Sequence, residues 1–129
     1  MDEQKETIEL EYMLNTSPAI LFNRLSSPSG LTEWFADNVT VEGKTYTFIW
    51  NGVEQKAEQI LRKENKMVRY QWIDEDEGNP WFEFQIHVEE LTGDVALIII
   101  DHVDPAEKDD TIDLWDRQIV DLKRGLGSL

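Results

Sequence analysis

Six short runs of mostly alternating residues fill the middle of the chain, and a single long segment of helical period follows them. Alternation places apolar side chains on one face of a strand. A sheet of this length cannot bury that face alone, and the helix at about 109–125 is the one long element able to cover it. The pattern therefore predicts a curved antiparallel sheet with the last helix across its concave face. The six runs cover residues 38–42, 45–50, 53–62, 67–73, 81–89 and 95–103.

The N-terminal part adds a seventh strand and two short helices. Residues 6–14 alternate as a half-buried strand does. Ser17 followed by Pro18 is typical of a helix start, and this helix is expected to end near Leu25. A second short helix is predicted through Leu31, Trp34 and Phe35. The whole is an α+β helix-grip arrangement in one domain, residues 1–129, which suits the chain length.

Two hairpin loops predict which side chains share the concave face. An Asn51-Gly52 loop of type I′ pairs Trp50 with Val53. A four-residue loop from Lys63 to Lys66 would pair Leu61 with Val68. Both registers place the aromatic side chains of the meander on one surface.

These aromatic residues have two interpretations. They are either core packed beneath the last helix or the lining of a partly filled ligand cavity, since tyrosine hydroxyls and indole N–H groups need polar partners. The candidate lining residues are Trp34, Phe35, Tyr46, Phe48, Trp50, Tyr70, Trp72, Phe82, Phe84, Trp115 and Ile119.

The last strand leaves two questions open. It is apolar on both faces. Its outer face is therefore either covered by a second subunit, or part of a central strand whose small exposed apolar patch needs no partner. A three-residue loop before it would point His102 into the cavity, and a four-residue loop would point Asp101 inward. Pairing through the Thr92-Gly93 turn places His102 near Phe82 or Glu83.

Composition excludes several function classes. The 27 acidic and 12 basic side chains give a formal charge of −15, which disfavours nucleic acid because that affinity rests on Lys and Arg. The chain has no cysteine, which rules out disulfides and thiol catalysis. A charged N-terminus and the lack of a long apolar run predict a cytoplasmic protein without membrane insertion.

No cofactor or metal site is expected. The sequence lacks a nucleophile elbow, a phosphate-binding loop and a dinucleotide fingerprint. The acidic stretch 74–79 departs from a calcium loop because Asn79 stands where glycine is required. His87 and His102 are predicted on the order of 13 Å apart along neighbouring strands, which is too far for one metal.

The chain resembles the START-like (helix-grip, birch-pollen-allergen-like) superfamily over nearly its full length. The segment Leu31-Thr32-Glu33-Trp34-Phe35-Ala36-Asp37 is similar to one in the branch related to the activator of the heat-shock-protein-90 ATPase. The close, from Trp115 to Gly127, is similar to that branch's terminal helix and to compact START-like proteins of Bacteroidetes-type bacteria. The resemblance implies a hydrophobic cavity between sheet and helix.

Three functions follow as hypotheses. The preferred one is a non-enzymatic domain that binds a small hydrophobic or amphipathic, lipid-like ligand. The second is a protein-interaction or regulatory domain with a filled core, which binds a protein partner or forms a homodimer. The third is a small cyclase or hydrolase using Asp101 or His102, although adjacent strand residues point to opposite faces and cannot both act in one cavity.

Overall fold

A computed structural model describes residues 5–73 and 80–127. The strands are β1 (Glu6–Leu14), β2 (Asn38–Glu42), β3 (Thr45–Trp50), β4 (Val53–Lys63), β5 (Met67–Trp72), β6 (Trp81–Val88) and β7 (Val95–Val103). The helices are α1 (Pro18–Ser26), α2 (Pro28–Thr32) and α3 (Lys108–Gly125), with a 3-10 turn at Pro105–Glu107 before α3. This is the predicted α+β helix-grip order.

The strands form one antiparallel sheet in the order β1-β7-β6-β5-β4-β3-β2. The meander pairs neighbours in sequence, and β1 joins the last strand at the other edge. The Asn51-Gly52 turn pairs Trp50 with Val53 as predicted. Both turn residues have positive φ, 50° and 79°, which a type I′ turn requires.

The predicted register between β4 and β5 was wrong. The loop has three residues instead of four, so Lys63 pairs with Met67 and Arg62 with Val68. The register shifts again between Gln59 and Leu61, where one extra residue makes a bulge. The shorter loop places Leu61 opposite Arg69, on the outer face. The bulge then restores the predicted register for the earlier part of β4, so that Gln59 pairs with Tyr70 and Ala57 with Trp72.

The loop between β6 and β7 decides which polar residue faces inward. Val88 pairs with Val95, and the Glu89 N–H donates to the Asp94 carbonyl, leaving a four-residue loop. This register places His102 next to Trp81, one or two residues from the predicted neighbours Phe82 and Glu83. Of the two alternatives left open, the four-residue loop is the one observed, so Asp101 is the inward residue, and only the predicted neighbours of His102 were wrong.

The two short helices meet at a very close approach. Ser17 caps α1 and Ser27 caps α2, each accepting a backbone N–H through its hydroxyl. A Cβ atom at Gly30 would lie 2.3 Å from the carbonyl oxygen of Asn23, so only glycine fits between these helices. The second helix ends at Thr32, earlier than predicted, and Phe35 follows in a turn.

The core lies between the concave face of the sheet and the three helices. The last helix buries Trp115, Ile119 and Leu122 at steps of four and three residues, as its period predicted. On the sheet, Phe48 and Phe84 are fully buried. The short helices close the core at one end through Leu21, Leu25 and Leu31 and their neighbours.

Candidate ligand site between the sheet and the last helix

The structure brings all eleven candidate lining residues into one cluster. Nine are buried: Trp34, Phe35, Tyr46, Phe48, Tyr70, Phe82, Phe84, Trp115 and Ile119. Trp50 and Trp72 are partly buried and pack against the edge of the cluster. These two indoles are therefore the members of the set that are most accessible from outside.

Phe35 is the centre of the aromatic cluster. The segment after α2 places its ring 5.0 Å from the ring of Phe48 and 5.3 Å from that of Trp50, both edge-on. On the other side it stacks on Trp115 at 5.8 Å. These distances are those of favourable aromatic pairs. The short helices, the sheet and the last helix thus meet at one side chain.

The two inner tyrosines find their polar partners within the protein. The hydroxyl of Tyr46 donates to the Ser26 carbonyl and that of Tyr70 to the Leu25 carbonyl, each at 2.7 Å. The Gln59 amide donates to both hydroxyls at 3.1 and 3.2 Å. Burial raises the pKa of both tyrosines, so both stay protonated donors. This network serves the carbonyls at the end of α1, which a helix leaves without backbone partners.

The indoles at the helical end of the cluster also serve backbone carbonyls. Trp34 Nε1 donates to the Arg24 carbonyl at 2.8 Å. Trp50 Nε1 and Gln118 Nε2 both donate to the Phe35 carbonyl, at 2.7 and 3.0 Å. These side-chain bonds add to the backbone hydrogen bonds by which residues 33–36 reach the Gly30 and Leu31 carbonyls, and together they hold the segment between α2 and β2.

Asp101 is the one carboxylate of the candidate set, and it points toward the last helix. Its Oδ2 accepts the indole N–H of Trp115 at 3.0 Å, and its Oδ1 accepts the backbone N–H of His102 at 2.8 Å. Burial raises the pKa of Asp101, while these two hydrogen bonds and the charges of His102 and Lys5 act in the opposite direction.

His102 lies on the outer face of the sheet. Its Nδ1 is 2.8 Å from the Trp81 carbonyl oxygen, and its ring meets the Trp81 ring at 4.5 Å. Asp101 and His102 therefore do not face one another across a common space. Of the two groups that the cyclase or hydrolase hypothesis offered as alternatives, only Asp101 lies on the concave side of the sheet.

Two grooves flank the last helix beside the partly buried indoles. A groove of about 230 Å³ at the start of α3 is lined by Trp72 and Asp101. A groove of about 420 Å³ farther along α3 is lined by Trp50 and Gln118. The rings of Trp50 and Trp72 lie 6.5 Å apart, so the two grooves share one aromatic flank.

Other site types find no support in the described residues. Within residues 5–73 and 80–127, no three His, Asp or Glu side chains come together as a metal site would require. In the same ranges no helix is both long and apolar enough to cross a membrane. The acidic stretch 74–79, considered above as a calcium loop, lies outside the described residues.

Sequence reasoning missed the partners of the polar groups. Alternation predicted that Tyr46 and Tyr70 share a face, but the carbonyls they bind belong to α1, far away in sequence. The link from Trp115 to Asp101 was also missed. The helical step that buries Trp115 was a usable signal, because a buried indole needs an acceptor on the strand beneath it.

The concave sheet, the long helix across it and the aromatic interior together define a helix-grip domain. A family model for the START-like superfamily domain matches residues 1–128, and the chain belongs to this superfamily. No curated protein matches the chain.

Solved structures agree with this assignment. The chain is 40% identical to the protein BfR322 of Bacteroides fragilis, with a TM-score of 0.67 and coverage of 95% of this chain and 92% of that one. The Aha1 dimer of Colwellia psychrerythraea is similar in fold, with a TM-score of 0.77 at 18% identity and coverage of 92% and 93%. DynU16, from the dynemicin biosynthetic locus, has a TM-score of 0.79 at 11% identity, and the match covers 99% of this chain and 48% of that one.

Proposed function

We propose that this domain is a non-enzymatic binding protein for a small hydrophobic or amphipathic ligand. The ligand enters between the sheet and α3 on the side of Trp50 and Trp72. The observation that carries the proposal is the aromatic flank shared by the two grooves, because it leads directly into the buried cluster. Small-molecule sites combine apolar walls with a few placed polar groups. Here the indoles and the cluster behind them supply the apolar part, and the other residues of the grooves supply the polar groups.

The two outer indoles are suited to act as the gate. Trp72 packs on Phe82 at 5.1 Å and Trp50 on Phe48 at 5.7 Å, so each covers a fully buried ring. If a ligand took the place of these indoles against the buried rings, the apolar area removed from water would stay about the same. The ligand is then selected by the area it buries and by its contacts to the polar groups at the rim.

The first experiment is native mass spectrometry of the purified protein beside the same sample after denaturation and organic extraction. A bound ligand gives extra mass in the native spectrum that is lost on denaturation. A protein isolated without ligand is then titrated with the neutral fluorescent probe N-phenyl-1-naphthylamine. One saturable site supports the proposal, and the lack of both bound mass and saturable probe binding contradicts it.

Two tryptophans provide a matched pair for locating the site. Trp72 lies on the concave face, whereas Trp81, on the next strand, lies on the outer face against Arg69 and His102. We expect Trp72→Ala to weaken probe binding about tenfold or more, in line with the loss of a large buried contact. Trp81→Ala should leave the affinity unchanged. Equal affinities in wild type and Trp72→Ala would place the probe elsewhere.

A protein-interaction domain with a filled core is the second candidate. The dense ring contacts around Phe35 and the internal partners of Tyr46 and Tyr70 favour it, because nothing in that network requires a ligand. The similarity in fold to a protein solved as a dimer agrees with association of whole domains. Sedimentation of the purified chain over a range of concentrations, together with affinity capture from lysate, tests it. A monomer that captures no stoichiometric partner contradicts it.

A further inference from the structure

The groove at the start of α3 has an unequal charge distribution. The residues that line it include three carboxylates, those of Asp101, Asp104 and Glu107, and one ammonium, that of Lys5. The first turn of α3 adds Asp109 and Asp110 just outside the groove. The field in this groove therefore favours a cation, even after the positive dipole end of the helix is taken into account.

Asp101 has the geometry to bind such a cation. A carboxylate offers about four lone-pair directions, and the indole of Trp115 and the backbone N–H of His102 use two of them. Because both of these partners are donors, they favour the Asp101 carboxylate as an acceptor and fix its orientation. Lys5 also lines this groove, so an ammonium of the protein itself lies in the same groove as the carboxylate.

We propose that the groove binds the head of an amphipathic amine, with a primary ammonium at Asp101 and the apolar body against Trp72. This inference rests on the proposed function and names the class of its ligand. A charge-assisted hydrogen bond from the ammonium is stronger than a neutral one. The groove, at about 230 Å³, holds a small aromatic or short alkyl body before the ligand reaches the buried cluster.

Three ligands with the same phenylethyl body test the head group. These are 2-phenylethylamine, 2-phenylethanol and 3-phenylpropanoate, titrated by calorimetry near neutral pH and low salt. We expect the amine to bind about tenfold more tightly than the alcohol, and the carboxylate more weakly still. Equal affinities for all three, or no binding by any of them, overturns the inference.

Two variants of equal charge locate the contact. Asp101→Asn keeps an oxygen that can accept the Trp115 indole N–H but removes the charge, and it should abolish the preference for the amine. Asp110→Asn removes one charge from the same helix turn at an exposed position outside the groove, and it should keep the preference. A preference that survives Asp101→Asn overturns the inference.

A measurement on the wild type covers the case in which Asp101→Asn does not fold. In proton–nitrogen correlation spectra, the amine should shift the Trp115 indole N–H and the His102 amide, both of which donate to Asp101, and the alcohol should shift them much less. Amine shifts confined to other residues contradict the proposal. Binding of N-phenyl-1-naphthylamine that depends on Trp72, found together with equal affinity for the three head groups, overturns this inference and leaves the proposed function standing.

Discussion

The indole N–H of Trp115 donates a 3.0 Å hydrogen bond to Oδ2 of Asp101, which ties the middle of α3 to β7. A second tie runs from the hydroxyl of Tyr12 on β1 to Oδ1 of Asp116, at 2.7 Å. The two bonds come from adjacent helix residues and reach adjacent strands. They fix the rotation of the helix about its axis, and so determine which side of α3 is open to the grooves.

The first prediction concerns the pH dependence that Asp101 gives to stability. Burial raises the pKa of Asp101 above its ordinary value of 3.8, so the folded state holds this proton more tightly than the unfolded chain does. Its contribution is fully present below pH 3.8 and is lost as the pH rises through the raised value. We therefore expect the stability of wild type relative to Asp101→Asn to fall across that window and then level off.

Urea unfolding of both proteins at a series of pH values measures this difference. The many surface carboxylates affect both chains alike and cancel in the comparison. Lys5, His102, Asp104 and Glu107 also face the groove, but each is present in both proteins. A difference that is independent of pH, or that rises with pH, would contradict the assignment of Asp101 as a buried acid.

The second prediction concerns the close approach of the two short helices. A methyl group at Gly30 would lie 2.3 Å from the Asn23 carbonyl oxygen and 2.7 Å from Cα of Arg24, and both are backbone atoms that cannot move aside cheaply. We expect Gly30→Ala to lower the free energy of unfolding by about 1–3 kcal/mol or more, the usual cost of overpacking. The midpoint of urea unfolding measures the change.

Gly125→Ala is the matched control for this substitution. Its Cβ would meet only the end of the Glu33 side chain, at 3.3 Å, and a half-exposed side chain can move. Because alanine also favours helix over glycine, we expect the change at this position to be within about 1 kcal/mol. A Gly30→Ala variant no less stable than Gly125→Ala would show that α1 and α2 are not in contact as described.

The third prediction compares the two inner tyrosines. Removing either hydroxyl leaves a carbonyl of α1 without its side-chain donor, at a cost of about 1–2 kcal/mol. The Ser26 carbonyl has a second donor, since Gln59 Nε2 lies 3.4 Å from it, and this amide remains in Tyr46→Phe. Tyr70→Phe should therefore destabilise more than Tyr46→Phe. Thermal unfolding of both variants measures the order, and the reverse order would contradict the network.

Local patterns were sufficient to predict the elements of this fold. All seven strands begin at the predicted residue and end within one residue of the predicted end, because each lies between clear turn signals. The Asn51-Gly52 register followed from the backbone requirement of its turn. The concave face was predicted correctly for the same reason, since one secure register fixes the alternation of the strands beside it.

The errors lie where the local sequence is compatible with two different strand registers. A loop of three or four residues between β4 and β5 satisfies the same turn residues, and positive φ at Asn65 favours the shorter one. The Ile60 bulge leaves no signal in the alternation, because Ile60 and Leu61 are both apolar. The hydrogen bond between Trp115 and Asp101 depends on how α3 packs on the sheet, and a local sequence pattern carries no information about that packing.

The last prediction concerns a buried carboxylate on the outer face that the sequence did not reveal. Glu83 is only 2% exposed, and its Oε1 accepts the Nε–H of Arg69 at 2.6 Å. The Arg69 guanidinium lies 3.8 Å from the centre of the Trp81 ring, which covers it from one side. Arg69→Met leaves the carboxylate buried without its charge partner, so we expect a loss of about 2–4 kcal/mol. The double variant Arg69→Met/Glu83→Leu should recover most of that loss, because it removes the unpaired charge.

Arg124→Met is the control for this pair of variants. Arg124 pairs with Asp121 at an exposed position, so this substitution should lower the free energy of unfolding by less than about 1 kcal/mol. Urea unfolding of the four proteins measures all three changes. If the double variant is as unstable as Arg69→Met alone, the loss comes from the arginine's packing on Trp81 and not from the buried charge.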